Sequence, residues 1–212
     1  RLEEMKARIR GRVSGALDHR RHALGVMTGA APAPTVTEAQ EGFTYLGSPS
    51  RWFGPDSGQP IGMRLNSRGE PLAPGGGFGQ VRAGFTAWNS VSGSAVRFRD
   101  DGFTTASGYV YDGVNSISFG DPNGEIDPPS GCAGTLAIGG YFRGDETKTV
   151  NGQVFYRILE GDVVFGDGWA GCNFYESFAN LSEVATHELG HVLGLGHSEV
   201  ADAIMNAYAH LD

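Results

Sequence analysis

The chain has 212 residues, 40% hydrophobic and 10% aromatic, enough apolar material for a real core and too much for a disordered chain. No apolar run approaches the roughly 20 residues that span a bilayer, so a soluble globular protein is expected. A formal net charge of -8 argues against a polyanionic nucleic-acid partner, and no nucleic-acid-binding motif is present. Glycine, at 34 residues, is about twice its usual share of ~7% and follows no fixed period, which predicts many tight loops. Charge divides the chain: residues 1–22 hold seven Lys or Arg against three acids, the remainder nine against twenty-one.

Taken in order, Leu2, Met5, Ile9, Val13 and Leu17 recur at helical spacing and predict an amphipathic helix, weakened by Gly11 and Gly15. Residues 29–37, with alternating Ala and Pro, read as an extended linker, and a domain boundary falls near residue 40. Residues 61–66 form a predicted strand. Val81, Phe85, Trp88 and Val91 predict a helix over residues 81–91. Short strands are expected at 96–98, 108–111, 116–119, 136–142, 154–159 and 162–165, separated by Gly, Asp, Asn and Pro. A second helix spans 181–193 and ends at Gly194. Strand, helix, several strands, helix is the order of an α/β or α+β sandwich. Cys132 and Cys172 are the only cysteines, forty residues apart and in no CxxC arrangement. One disulfide in an oxidising compartment is the expectation, with two free buried thiols as the alternative.

Three of the six histidines lie within eleven residues, in His187-Glu-Leu-Gly-His191-Val-Leu-Gly194-Leu-Gly-His197. On a helix, His187 and His191 project from one face a turn apart, and Gly194 lets the chain turn back and bring His197 to the same point. Three neutral nitrogens and an open fourth position describe a catalytic zinc, with Glu188 beside it as general base. HExxH arises by chance in roughly one chain in a hundred of this length, the full HExxHxxGxxH in about one in a hundred thousand. Two accidental surface histidines are therefore the weaker reading.

The motif together with Met205 resembles the metzincin zinc endopeptidases, and within them the matrixins. The run from Asn180 to Ser198 followed by Ala203-Ile-Met205 is similar to the matrixin active-site helix and Met-turn. Val81-Arg-Ala-Gly-Phe85-Thr-Ala-Trp88 and Glu160-Gly-Asp162-Val-Val-Phe165 resemble that family's first helix and the strand entering the active-site half. The resemblance implies a zincin-like α/β (α+β) catalytic domain over residues 41–212: a twisted, mixed, mostly parallel sheet with an antiparallel edge strand, an active-site helix and a small C-terminal subdomain. It implies zinc on His187, His191 and His197, Glu188 as base, and Met205 as the floor of the site. Leu136, Ala137, Ile138 and Gly139 would belong to the edge strand that pairs with an extended substrate. Val184, Asn206 and Tyr208 would border the pocket for the side chain just after the cut.

Phe119, Ile138 and Val164 stand where matrixins carry the histidines of a second, structural zinc, leaving Asp121. The loop holding Asp121, Asn123, Glu125 and Asp127 is oxygen-rich and suits calcium, or is simply a solvated acidic loop. Residues 1–40 fit no matrixin catalytic domain and suit a pro-segment, with Asp18, His19 or His22 as a blocking ligand, or else a solvated basic helix. The expected protein is a secreted, monomeric zinc endopeptidase acting on protein or peptide substrates, without nucleic-acid or membrane partners. The alternatives are a latent or non-catalytic zinc-stabilised binding module whose leader fills the cleft, and a member of another metzincin family such as the astacins or serralysins.

Overall fold

Nine regular elements, apart from two short 3-10 turns, make up the described part of the molecule: β1 (Arg21–Gly29), β2 (Ser50–Arg51), β3 (Ile61–Asn66), α1 (Phe78–Asn89), β4 (Phe98–Thr104), β5 (Ser116–Ser118), β6 (Gly134–Val150), β7 (Gln153–Phe165) and α2 (Phe178–Val192). The computed structural model describes residues 21–29, by their backbone alone, and 43–210. The helix expected over residues 2–17, most of the Ala/Pro linker and the boundary near residue 40 lie outside the described residues.

The strands form one mixed sheet in the order β1-β6-β7-β5-β3-β4, with β2 added on β7. Strands β4, β3, β5 and β7 run parallel, and β6 is antiparallel to β7. Parallel neighbours need crossover connections, and α1, between β3 and β4, is one of them. Side chains alternate along β7: Val163 and Phe165 point into the core that also holds Val81, Phe85, Leu181 and Leu189 of the helices, while Val164 joins Tyr109, Ile126, Ile138 and Phe142 in a smaller cluster. Each fully buried Leu, Val or Phe contributes about 1.5–3 kcal/mol. The two helices cross at Gly84, where a Cβ would come within 3.1 Å of Leu189 and 3.2 Å of the Thr186 backbone nitrogen.

The predicted strand at 61–66 is β3 with both ends as expected. Residues 154–159 and 162–165 are one strand, β7, because Gly161 is no turn: it lets α2 approach, and a Cβ there would sit 2.7 Å from Val192. The strand expected at 136–142 extends to Gly134–Val150 and returns through Asn151 and Gly152, both with positive φ, as a two-residue hairpin requires. The strand expected at 96–98 is displaced to Phe98–Thr104.

Residues 108–111 are not a strand. Their backbone N–H groups go to side-chain oxygens instead: Gly108 donates to Ser118 Oγ (3.0 Å), Tyr109 to Glu125 Oε1 (2.8 Å) and Val110 to Asp162 Oδ2 (3.2 Å). Strand β6 is also not an edge. Its outer side pairs with β1, antiparallel, with Arg21 opposite Arg143, Gly25 opposite Gly139 and Gly29 opposite Gly134. Cys132 and Cys172 form the expected disulfide, which ties the loop before β6 to the segment before α2.

Candidate metal centre

Helix α2 is capped by Ser177, the residue before it, whose side chain accepts the Asn180 N–H. It ends in a turn where Gly194 has φ 98 and the Leu195 N–H reaches back to the Gly190 carbonyl (3.0 Å). A Cβ on Gly194 would also run into the Ser50 carbonyl, so only glycine fits there on both counts. The turn carries His197 back towards the helix. The ligand atoms of His187, His191 and His197 all lie within 4.8 Å of one another, the separation at which three nitrogens can share one ion. This is the one such His, Cys, Asp or Glu group among the described residues.

The orientation of two of the three rings is set by carbonyls. His187 Nδ1 meets the Ile204 carbonyl and His191 Nδ1 meets that of Leu195, each at 2.7 Å. A carbonyl only accepts, so each Nδ1 carries the proton and each Nε2 presents its lone pair. Those two Nε2 atoms are buried and have no hydrogen-bond partner. Burial pushes the His187 imidazole down to about 4, and burial together with the neighbouring His187 holds His191 well below 6.5. Both rings are thus neutral at pH 7, the form that binds a metal. An orphaned, buried, neutral nitrogen pair with a third imidazole alongside is the donor set that zinc takes, so the residues fit the ion.

Glu188 is fully buried beside the triad, against the β6 backbone, where a Cβ on Gly139 would fall 2.8 Å from its Oε2. Met205 packs under the helix against Gly190 and is 5% exposed. Its carbonyl accepts the Ser198 N–H (2.7 Å), closing the turn after the third histidine. Leu136, Ala137, Ile138 and Gly139 lie on β6 alongside α2, and Val184 is buried in the main core. Asn206 bonds the Val200 carbonyl and the Tyr208 N–H, and Tyr208 is exposed. Phe119 stacks on Phe165, and Ile138 and Val164 are buried in the smaller cluster. Asp18 and His19 lie outside the described residues; His22 lies on β1, opposite Phe142.

In the acidic loop, Asp121 Oδ1 accepts the Glu125 N–H (2.7 Å) and Oδ2 that of Ile126 (2.8 Å). Glu125 Oε1 accepts Tyr109 N–H and Asn123 Nδ2, and Asp127 is exposed. Two features of the site gave no signal in the sequence. Residues 44–46 brace the third histidine: Thr44 Oγ1 donates to the His197 carbonyl (2.6 Å), Gly196 N–H to the Thr44 carbonyl (2.7 Å) and Leu46 N–H to that of Gly194 (2.9 Å). His210 bonds Glu183 on α2. Both pair residues distant along the chain, which no local pattern records.

Comparison with known proteins agrees with this geometry. The family model described as matrixin matches residues 78–212. The metalloendoproteinases 5-MMP and 1-MMP of Arabidopsis thaliana are 37% identical over 95 residues and 35% over 124, covering 41% and 58% of this chain and 22% and 29% of their own. A hatching enzyme of Paracentrotus lividus is 33% identical over 103 residues, 47% of this chain and 17% of that protein. The chain therefore spans less than a third of the length of these relatives. With the family model covering more than half of it, from α1 through the histidine triad to the last residue, the chain belongs to the matrixin family.

Proposed function

We propose that this chain is a secreted zinc-dependent endopeptidase in which His187, His191 and His197 hold the metal and Glu188 is the general base. The observation that carries the reading is the pair of buried Nε2 atoms on His187 and His191, each fixed as an acceptor by the carbonyl on its Nδ1, with Glu188 buried beside them. Bound zinc supplies Lewis-acid polarisation of the scissile carbonyl and lowers the pKa of water towards ~7. Glu188 takes the proton of the attacking water and passes it to the leaving amine. Its burial against Gly139 keeps that carboxylate dry and fixed. Substrate takes the place of β1 and lies extended beside β6, with Asn206 and Tyr208 bordering the pocket for the side chain after the cut. The disulfide supports an oxidising, extracellular setting. No helix among the described residues is long and apolar enough to cross a membrane.

A second reading, latency, is favoured by β1. Residues 21–29 pair with β6 over Gly134 to Arg143 and run beside α2, on the backbone groups an extended substrate would use. The leader then acts as an internal competitor through strand addition. A calcium ion in the loop 121–127 would draw on oxygens that already accept N–H groups; a rise in melting temperature with millimolar calcium that Asp127→Ala abolishes would assign one there.

The test is zinc content together with casein or gelatin cleavage, for wild type, Glu188→Ala and a chain begun near Gly42. About one zinc per chain with cleavage lost only in Glu188→Ala supports the peptidase; bound zinc without cleavage in any form leaves a zinc-stabilised binding module. Cleavage confined to the shortened chain makes β1 inhibitory.

A further inference from the structure

The loop from Ser198 to His210 contains no helix or strand, yet it carries Met205 and, on the reading above, the pocket border. It is stitched to α2 at two points. One is the Ile204 carbonyl on His187 Nδ1. The other is His210, whose backbone N–H and ring Nδ1 both meet Glu183 Oε1 at 2.8 Å, while its Nε2 meets the Ala201 carbonyl. Glu183 and His187 are one helical turn apart on the same face, so the two stitches are neighbours and residues 206–209 bridge them. Beside the second stitch, Ala209 packs on the main core.

The chemistry of this second stitch is specific. Both ring nitrogens face oxygens that can only accept, a carboxylate and a carbonyl, so both must carry a proton and the ring must be an imidazolium. A neutral ring leaves one nitrogen lone pair against an oxygen. The charged groups facing the ring are Glu183 on α2 and Asp202 on the loop itself.

We propose that Glu183 and His210 form a protonation-dependent clasp that fixes residues 206–209 against α2, making His210 a positioning residue for substrate binding. The role in substrate binding rests on the peptidase reading; the clasp itself does not. The Ala201 carbonyl first, and then the Glu183 carboxylate, raise the ring above its ordinary 6.5. A histidine raised on folding contributes stability that is full below the unfolded value and is lost as pH rises through the folded one. The clasp is therefore closed in mild acid and opens on the alkaline side of 6.5.

The experiment uses the full zinc-loaded chain as wild type, Glu183→Gln and His210→Gln. The His210 ring is titrated by NMR, and KM and kcat are followed against pH with a peptide bearing a bulky side chain after the cut. The ring is expected to titrate above 6.5 in wild type and nearer to 6.5 in Glu183→Gln. KM in wild type should rise on the order of threefold through that transition, the scale of one exposed ion pair, and show no such step in His210→Gln, with kcat and zinc content unchanged. A ring that titrates at or below 6.5, or that ignores Glu183→Gln, overturns the clasp. The same KM profile in His210→Gln overturns the positioning role. No turnover by wild type or by a chain begun near Gly42 overturns that role together with the peptidase reading, and the ring titration then decides the clasp alone; turnover by the shortened chain only moves the KM measurement to that chain and its two variants.

Discussion

Two sets of buried polar side chains lie on opposite faces of the same sheet and do opposite things with their hydrogen bonds. On the loop-covered face, Glu160 and Asp162 of β7 take up backbone donors. Glu160 accepts the N–H groups of Asp112 and Gly113, and Asp162 accepts those of Val110 and Ser116 together with the Ser116 hydroxyl. With Glu125, which accepts the Tyr109 N–H, they replace the strand ladder that residues 108–115 lack, while Asp121 takes the N–H groups of Glu125 and Ile126 in its own loop. On the helix face, His187 and His191 spend one nitrogen each on a carbonyl and keep the other for something outside the chain. An acidic cluster in a sequence is thus weak evidence for a cation, because carboxylates are good ligands for backbone N–H groups. A neutral imidazole fixed on one side with its other nitrogen orphaned in the interior is strong evidence, since that arrangement carries an unrepaid desolvation cost until a ligand arrives.

Removing the metal breaks the comparison most severely. With zinc held at a thousandfold above its dissociation constant, the site contributes about 4 kcal/mol to folding. Chelation should lower the melting temperature by several degrees, and readdition should restore it; a melting curve indifferent to chelator would put the two faces on the same footing. Next comes the disulfide, which closes a forty-residue separation between the loop before β6 and the entry to α2. Cys132→Ser with Cys172→Ser should cost about 2–4 kcal/mol in urea unfolding, while zinc content in the folded state is kept. On the other face, Asp162→Asn places an amide where three donors converge, at a cost of about 1–3 kcal/mol. Amide exchange in residues 110–116 should quicken and cleavage should be unaffected. Lost zinc in that variant would show that the two faces are coupled.

The same contrast explains what was legible in the sequence. The triad could be read because its geometry is local: His187 and His191 are one turn apart and Gly194 is the residue that allows the return. Strand β3 was legible for the same reason, Ile61, Met63 and Leu65 alternating with Gly62 and Arg64. What failed depended on distant partners. Gly161 reads as a strand break until Val192 is seen against it, and 108–111 reads as a strand until Glu125 and Asp162 are seen taking its donors. The pairing of β1 with β6 joins segments more than a hundred residues apart, and Glu183 with His210 joins a helix to a loop; neither leaves a periodicity to detect.

The smallest expected effect probes the histidine of the triad that stands apart from the other two. His187 and His191 are held by the helix itself, whereas His197 is held from outside, by residues 44–46 pairing with the turn at 194–197. Thr44→Val deletes one exposed hydroxyl bond to the His197 carbonyl and leaves the backbone pairing from Gly196 in place. A single neutral hydrogen bond is worth about 0.5–1.5 kcal/mol net, so zinc should be released about two- to tenfold more readily in a competition titration. No change would mean that the backbone pairing alone positions His197. A much larger change would make the Thr44 hydroxyl part of what orients His197, and the candidate metal centre would then depend on the segment between β1 and β2 as closely as it does on α2.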